Sequence, residues 1–356
     1  MFREVTLNLM FAAELFEPRR FRITETEAPP NPGPGEIQAA VHLVGVCGSD
    51  LHYFSEGGIG ESRCAYPMVL GHEPVGSVMR VGSGVSGWSR GDLAALEPAV
   101  YCYHCEFCMT GHHNVCAKIA FHGSSTLPGF FREVVNLPAA NVLPLPKGMS
   151  DRAALLHEPL AVALHSLVVG KPVVGETALV FGGGPIGLLT VALLKLAGVH
   201  RLWVVEPVGH RRELARTVGA DDAIDPAQAD PVRETLRETC GRGVDVTFDC
   251  AAKGDTVNQS IHATRSAGRV VMTGIPSATK LAVDFHALRR REIALLSSHR
   301  SNGDGHAALR LLAEQPERFA PIVTHVRSLG AVQHAFELLE RYEDGVGKLA
   351  LAIAPA

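Results

Sequence analysis

The chain reads as an α/β protein of two domains, an irregular β-rich one and a doubly wound parallel-sheet one, and three observations predict it. Its 356 residues suffice for about two domains at ~150 residues each. The first 150 residues carry short β-leaning runs among many glycines and prolines. From about Thr177, apolar runs alternate with helical stretches, the texture of parallel βαβ units.

In chain order, Ile37 to Val44 and Val75 to Val81 are the clearest β-runs of the first part, set apart by turn clusters such as Pro29 to Gly35. Then come a strand at Ala178 to Phe181, a helix at Ile186 to Leu196, a strand at Arg201 to Val205 and a helix at Arg211 to Thr217. Strands at Asp245 to Cys250, Arg269 to Thr273 and Ile293 to Ser297 continue the series. Helices are expected near Ala307 to Ala313 and Ala331 to Arg341, and a terminal run, Lys348 to Ile353, is expected to return to the first domain. The boundaries that follow are 1–158 for the first domain, completed by about 297–356, and 159–296 for the second.

Composition narrows the function. With 46% apolar and 20% charged residues the chain buries cores, which excludes disorder, collagen and a disulfide miniprotein. A net charge of -4 gives no global attraction for a polyanion, so the expected partner is a small molecule rather than nucleic acid or an anionic membrane. The stretch Leu7 to Ala13 is broken by Asn8 and followed by Glu14, so it lacks the apolar core of a secretory signal. Ala178 to Leu194 nears the length of a membrane span, but three consecutive glycines and Pro185 break it; no membrane partner is expected.

Gly182, Gly184 and Gly187 form GxGxxG between the expected strand and helix. The first glycine permits the turn, the second lets the backbone approach a pyrophosphate, and the third lets helix and strand pack closely. Glu206 ends the next strand, twenty-four residues after Gly182, where a carboxylate accepts hydrogen bonds from an adenosine ribose. Its charge favours NAD over NADP, whereas Arg211 and Arg212 nearby are of the type that grips a 2′-phosphate.

Four of the eight cysteines, Cys102, Cys105, Cys108 and Cys116, fall within fifteen residues. Four thiolates close a tetrahedral shell around structural Zn²⁺, and an iron–sulfur cluster fits the last spacing poorly. Cysteine usage of this kind points to metal and a reducing cytoplasm rather than to disulfides. A second, open set of donors, Cys47, Ser49, Asp50, His52, Tyr53, His72 and Glu73, lies in "VGVCGSDLHYF" and "LGHEPVG". Paired with a nucleotide fold, a thiolate, an imidazole and a carboxylate leave a position for an alcohol oxygen that must be polarised before hydride leaves.

At these motifs the chain resembles the zinc-dependent medium-chain dehydrogenases, within them the sorbitol and L-idonate dehydrogenase group. The resemblance runs from about residue 40 to 340 through "CGSDLHYFSEGGIG", "PMVLGHEPVG", the four-cysteine lobe, "HEPLAVALH", "GGGPIGLL", "ATRSAGRVVMTGI" and "PIVTHV". It implies a GroES-like β domain carrying two zincs and a Rossmann domain binding NAD. It also implies that Cys47, His72 and Glu73 hold the catalytic zinc, with Glu158 either a direct ligand or acting through a water. Asp50 then orients the imidazole, Ser49 takes the substrate proton and His52 relays it. Tyr53, Glu158 and Arg300 are the implied substrate contacts, and Gly182, Gly184, Ile186, Gly187, Glu206, Arg211, Gly274, Ile275 and Arg300 the NAD contacts. A polyol or aldonate substrate, a cytoplasmic location and a homotetramer are the family's expectations. L-Threonine 3-dehydrogenase, with similar metal motifs, is the alternative.

The pattern departs from sorbitol dehydrogenase in three places. Glu206 replaces an aspartate; Ser301 and His299 replace aromatic residues; and the stretch Phe121 to Phe131 is shortened. These changes predict a wider or more polar substrate pocket.

Overall fold

A computed structural model describes residues 9–353; part of the Leu7 to Ala13 stretch therefore lies outside the described residues. The β-rich domain is built on a seven-stranded sheet in the order Val142–Pro144, Leu93–Leu96, Glu73–Val81, Glu36–Gly45, Lys348–Ala352 and Val323–Ser328, with Val134–Pro138 also paired to Glu36–Gly45. The C-terminal strand thus lies directly beside the strand that leads into Cys47. Two of its pairings position the site: Gly45 stands opposite Glu73 on one side and opposite Ala350 on the other.

The second domain is a six-stranded parallel sheet in the order Asp222–Ile224, Arg201–Val205, Thr177–Phe181, Val244–Asp249, Thr264–Met272 and Ala294–Ser297. Its central strands are buried on both faces, as helices on either side require. Ala178 and Val180 enter one core and Leu179 and Phe181 the other, and Arg201–Val205 divides in the same way. The strand order reverses between Thr177–Phe181 and Val244–Asp249, the crevice where open α/β sheets bind ligands.

The apolar stretch Ala178 to Leu194 is divided between the strand Thr177–Phe181 and the helix Pro185–Leu196. Asp151–Gly170 is helical, long and apolar enough to cross a membrane, yet most of it is buried against the parallel sheet's core. Its second part, His157–Gly170, was not legible as a helix because apolar residues surround it and no polar stripe marks a face. The helices Pro231–Glu238 and Thr256–Ala263 and the strand Asp222–Ile224 also go beyond the sequence reading.

Candidate active site and metal clusters

Cys47 caps the helix Gly48–Glu56, so its sulfur sits at a helix N-terminus. Asp50, fully buried in the first turn, reaches back to accept the Cys47 N–H at 2.9 Å through Oδ2. Its other oxygen accepts the Gly71 N–H at 3.3 Å and lies 3.3 Å from His72 Nδ1. One carboxylate therefore orders both donor segments and leaves His72 Nε2 facing inward, 3.3 Å from Ser49 Oγ. Burial opposes a charged His72 ring, but Asp50 and then Cys47 outweigh it and raise its pKa well above the ordinary value.

The donor atoms of Cys47, His72 and Glu73 all lie within 4.8 Å of one another. Both Glu73 oxygens are buried without a hydrogen-bond partner of normal geometry. Sulfur, nitrogen and oxygen donors so converged fit a zinc ion.

Lys348 supplies the counter-charge. Its fully buried ammonium contacts Glu73 and donates to the Val46 carbonyl at 3.0 Å. Burial works against that charge, yet Glu73, Cys47 and Glu158 together outweigh it and the lysine's pKa is raised. Gly45, between the two strands, makes the pair possible. A Cβ there would stand 2.0 Å from Glu73 Oε2 and 2.8 Å from Lys348 Cε. Sequence reasoning passed over Lys348; the available signal was a lysine heading an otherwise apolar terminal run.

Glu158 stands beside this set in the first turn of His157–Gly170, buried. Burial pushes its carboxyl up to about 8, with Glu73 and Glu97 adding to the rise and His72 and Lys348 opposing it. His52 Nδ1 lies 3.1 Å from Glu56 Oε1, one turn further along their helix. Tyr53 is buried in the β domain's core, and its hydroxyl meets Ser62 Oγ at 3.0 Å.

Arg300 enters from the segment after the last parallel strand, with a left-handed backbone at φ 56°. Its guanidinium lies 4.2 Å from the centre of the Phe121 ring, and the same ring is 5.5 Å from that of His72. The shortened stretch Phe121 to Phe131 thus lays its first residue between the metal donors and the arginine. Burial lowers the Arg300 pKa, while Tyr101, Glu158 and Tyr53, all close enough to act on it, oppose the shift. Ser301 is buried.

The four cysteines of the lobe also converge, with no disulfide among them. Their sulfurs lie 3.5 Å apart for Cys102 and Cys116, 3.9 Å for Cys105 and Cys116, and 4.0 Å for Cys102 and Cys108. Tetrahedral ligands at ~2.3 Å from zinc would be spaced about 3.8 Å apart, so the lobe fits the ion as it stands. Backbone N–H groups of Cys102, Cys105 and Lys118 point at these sulfurs at 3.4 Å, a stabilisation suited to thiolates.

In the crevice of the parallel sheet the three glycines divide their work. Gly182 is left-handed at φ 95°; a Cβ on Gly187 would stand 1.9 Å from the Gly182 carbonyl oxygen; and Gly184 faces open space, with Arg211 Nη1 the nearest atom at 3.9 Å. Glu206 accepts N–H bonds from Gly183 at 2.6 Å and Val208 at 2.8 Å, which places its carboxylate at the turn. Arg212 is committed to Asp225 at 2.9 Å, whereas buried Arg211 stacks 4.5 Å from the Tyr342 ring with Nε unpartnered. Ile186 is the second residue of the glycine-turn helix, Gly274 packs tightly against Ala252, and Ile275 is exposed beyond it.

Residues 33–147 match the alcohol dehydrogenase GroES-like domain, and residues 185–314 match the zinc-binding dehydrogenase family. An L-threonine 3-dehydrogenase of Pyrococcus abyssi is 34% identical over 320 residues, 89% of this chain and 91% of its own. The chain belongs to the zinc-dependent medium-chain alcohol/polyol dehydrogenase family. As a family member it is an oxidoreductase served by zinc and a nicotinamide cofactor. A sorbitol dehydrogenase of Bacillus subtilis is 31% identical over 92% of this chain and 93% of its own. In fold, L-idonate 5-dehydrogenase of Escherichia coli superposes with a TM-score of 0.89 at 25% identity, covering 97% of this chain and 98% of that one.

Proposed function

We propose that this dehydrogenase oxidises a secondary hydroxyl of a sugar acid or polyol with NAD, and that it holds two zincs, one in the cysteine lobe and one at Cys47, His72 and Glu73. The observation that carries the substrate class is Arg300, a half-buried guanidinium over the Phe121 ring with no ion pair among the described residues. A carboxylate on the substrate would satisfy it in bidentate fashion, which favours an aldonate such as L-idonate over a neutral polyol.

When bound, zinc supplies a Lewis acid for the hydroxyl and the nicotinamide an acceptor for the hydride. The chain's own residues do the rest. Asp50 fixes the donor set, Ser49 takes the hydroxyl proton, and His52 carries it toward solvent. Glu206 disfavours a 2′-phosphate by charge at the turn where the adenosine ribose would lie, which supports NAD over NADP.

A second reading has specific support. Threonine also presents a secondary hydroxyl and a carboxylate, and the threonine dehydrogenase of P. abyssi is 34% identical to this chain against 31% for the sorbitol dehydrogenase. Reduced-nicotinamide absorbance with NAD or NADP and L-idonate, sorbitol, xylitol, threonine or ethanol decides between them. Turnover of L-idonate ahead of the neutral polyols, with NAD preferred, is the expected result. Turnover of threonine alone would establish the second reading, and a preference for ethanol would defeat both.

We also propose a cytoplasmic homo-oligomer of the tetrameric type. The outermost parallel strand, Ala294–Ser297, leaves Leu295 39% exposed, with Phe285 61% exposed on the preceding helix, an apolar edge suited to a second copy of the chain.

A further inference from the structure

The cysteine lobe and the segment that carries Arg300 are about 190 residues apart in sequence, yet two asparagines join them. Asn114, between Cys108 and Cys116 and buried, donates through Nδ2 to the His299 carbonyl at 2.9 Å. Its backbone N–H donates to Asn302 Oδ1 at 3.4 Å, and its amide also meets His165 Nε2 at 3.3 Å. Asn302 returns the contact, donating through Nδ2 to the Gly111 carbonyl at 2.7 Å. The Asn302 N–H is held in turn by Asp304 Oδ2 at 2.9 Å. His299 and Asn302 are therefore both tied to the lobe, and Arg300 between them holds a left-handed backbone at φ 56°.

A non-glycine residue in that region is strained and persists only where its neighbours over-determine it. Here the over-determining contacts come from the Cys108–Cys116 loop, whose two ends are cysteines of the four-sulfur cluster.

We propose that the cysteine lobe is a clamp on the substrate-reading segment: Asn114 and Asn302 are positioning residues that hold Arg300 in its strained conformation. The part of this that concerns substrate rests on the reading of Arg300 given above; the clamp itself does not. The lobe thereby gains a role in specificity at a distance from the reacting atoms. The loss of either asparagine frees the arginine without removing a donor from either metal cluster.

The decisive variant is N302A, because Asn302 is only half-buried and its truncation leaves the lobe's core intact. Amide hydrogen exchange over residues 298–303 is expected to quicken about threefold to tenfold, the scale of one or two lost hydrogen bonds. Zinc content, read by mass spectrometry, is expected to stay at the parent level, since Asn302 donates to neither metal cluster. With L-idonate as probe, KM is expected to rise about threefold to tenfold at nearly unchanged kcat, and N302A is expected to add nothing in an R300A background. Exchange over 298–303 unchanged in N302A would overturn the clamp, as would equal KM effects with and without Arg300. A KM that R300A itself does not move would instead overturn the sugar-acid reading, and the exchange result alone would then decide the clamp.

Discussion

The cysteine lobe and the open cluster are both built from metal donors, but they are stabilised in opposite ways. The lobe draws four like donors from fifteen residues of chain, and its own backbone N–H groups point at the sulfurs. The open cluster gathers Cys47 from a helix cap, His72 from a loop and Glu73 from the strand that follows it, then relies on Asp50, Lys348 and Gly45 to orient and balance them. A site made of local sequence tolerates distant change. A site made of long-range pairings fails when any of several remote residues is altered.

The largest effect expected from that contrast is on chemistry. C47S removes a donor from the open cluster alone, and turnover should fall by about a thousandfold, the scale of a lost Lewis acid, while the lobe keeps its metal. Steady-state rates beside zinc analysis check this, and near-normal turnover in a variant lacking that zinc would break the distinction.

K348M comes next. It strands the Glu73 carboxylate in the interior, and removal of one partner of a buried pair costs about 3–5 kcal/mol. Urea unfolding of the metal-free proteins measures it; a cost below 1 kcal/mol would show that Glu73 does not depend on the C-terminal strand.

D50N keeps the shape but weakens the hold on His72. Zinc affinity at the open cluster should drop by about 10-fold to 100-fold with the lobe unchanged, as chelator competition can resolve. Equal losses at both clusters would contradict independence.

The smallest effect is a pH dependence between the two regions. Burial first, and then Asp304, push the Glu97 carboxyl up to about 7 from 4.5. The folded state therefore binds that proton more tightly than the unfolded state does. Stability from this group is full below about pH 4.5 and is lost as pH rises through 7. E97Q should gain stability over the parent at pH 8 and little at pH 5, measured by urea midpoints. Equal differences at both pH values would refute it.

What was legible in the sequence follows the same divide. The lobe and the glycine turn could be read because their donors and turns sit at fixed short spacings, and Arg201–Val205 was bounded correctly by its apolar run and flanking charges. Cys47, His72 and Glu73 were recognisable as strings, but nothing local says that Gly45 lies between Glu73 and the C-terminal strand. Lys348, Asn114 and Asn302 escaped because their roles exist only through pairings across more than 180 residues. Tyr53, expected at the substrate, is also core, since one face of its helix must pack on the β sheet.

The most direct test of the account is metal content per chain, by inductively coupled plasma mass spectrometry, for the parent, C47S and C102S. Two zincs in the parent, one in C47S with the fold intact, and loss of the lobe's zinc first in C102S are predicted. A parent with a single zinc, or a C47S chain that still holds two, would contradict the assignment of two separate sites.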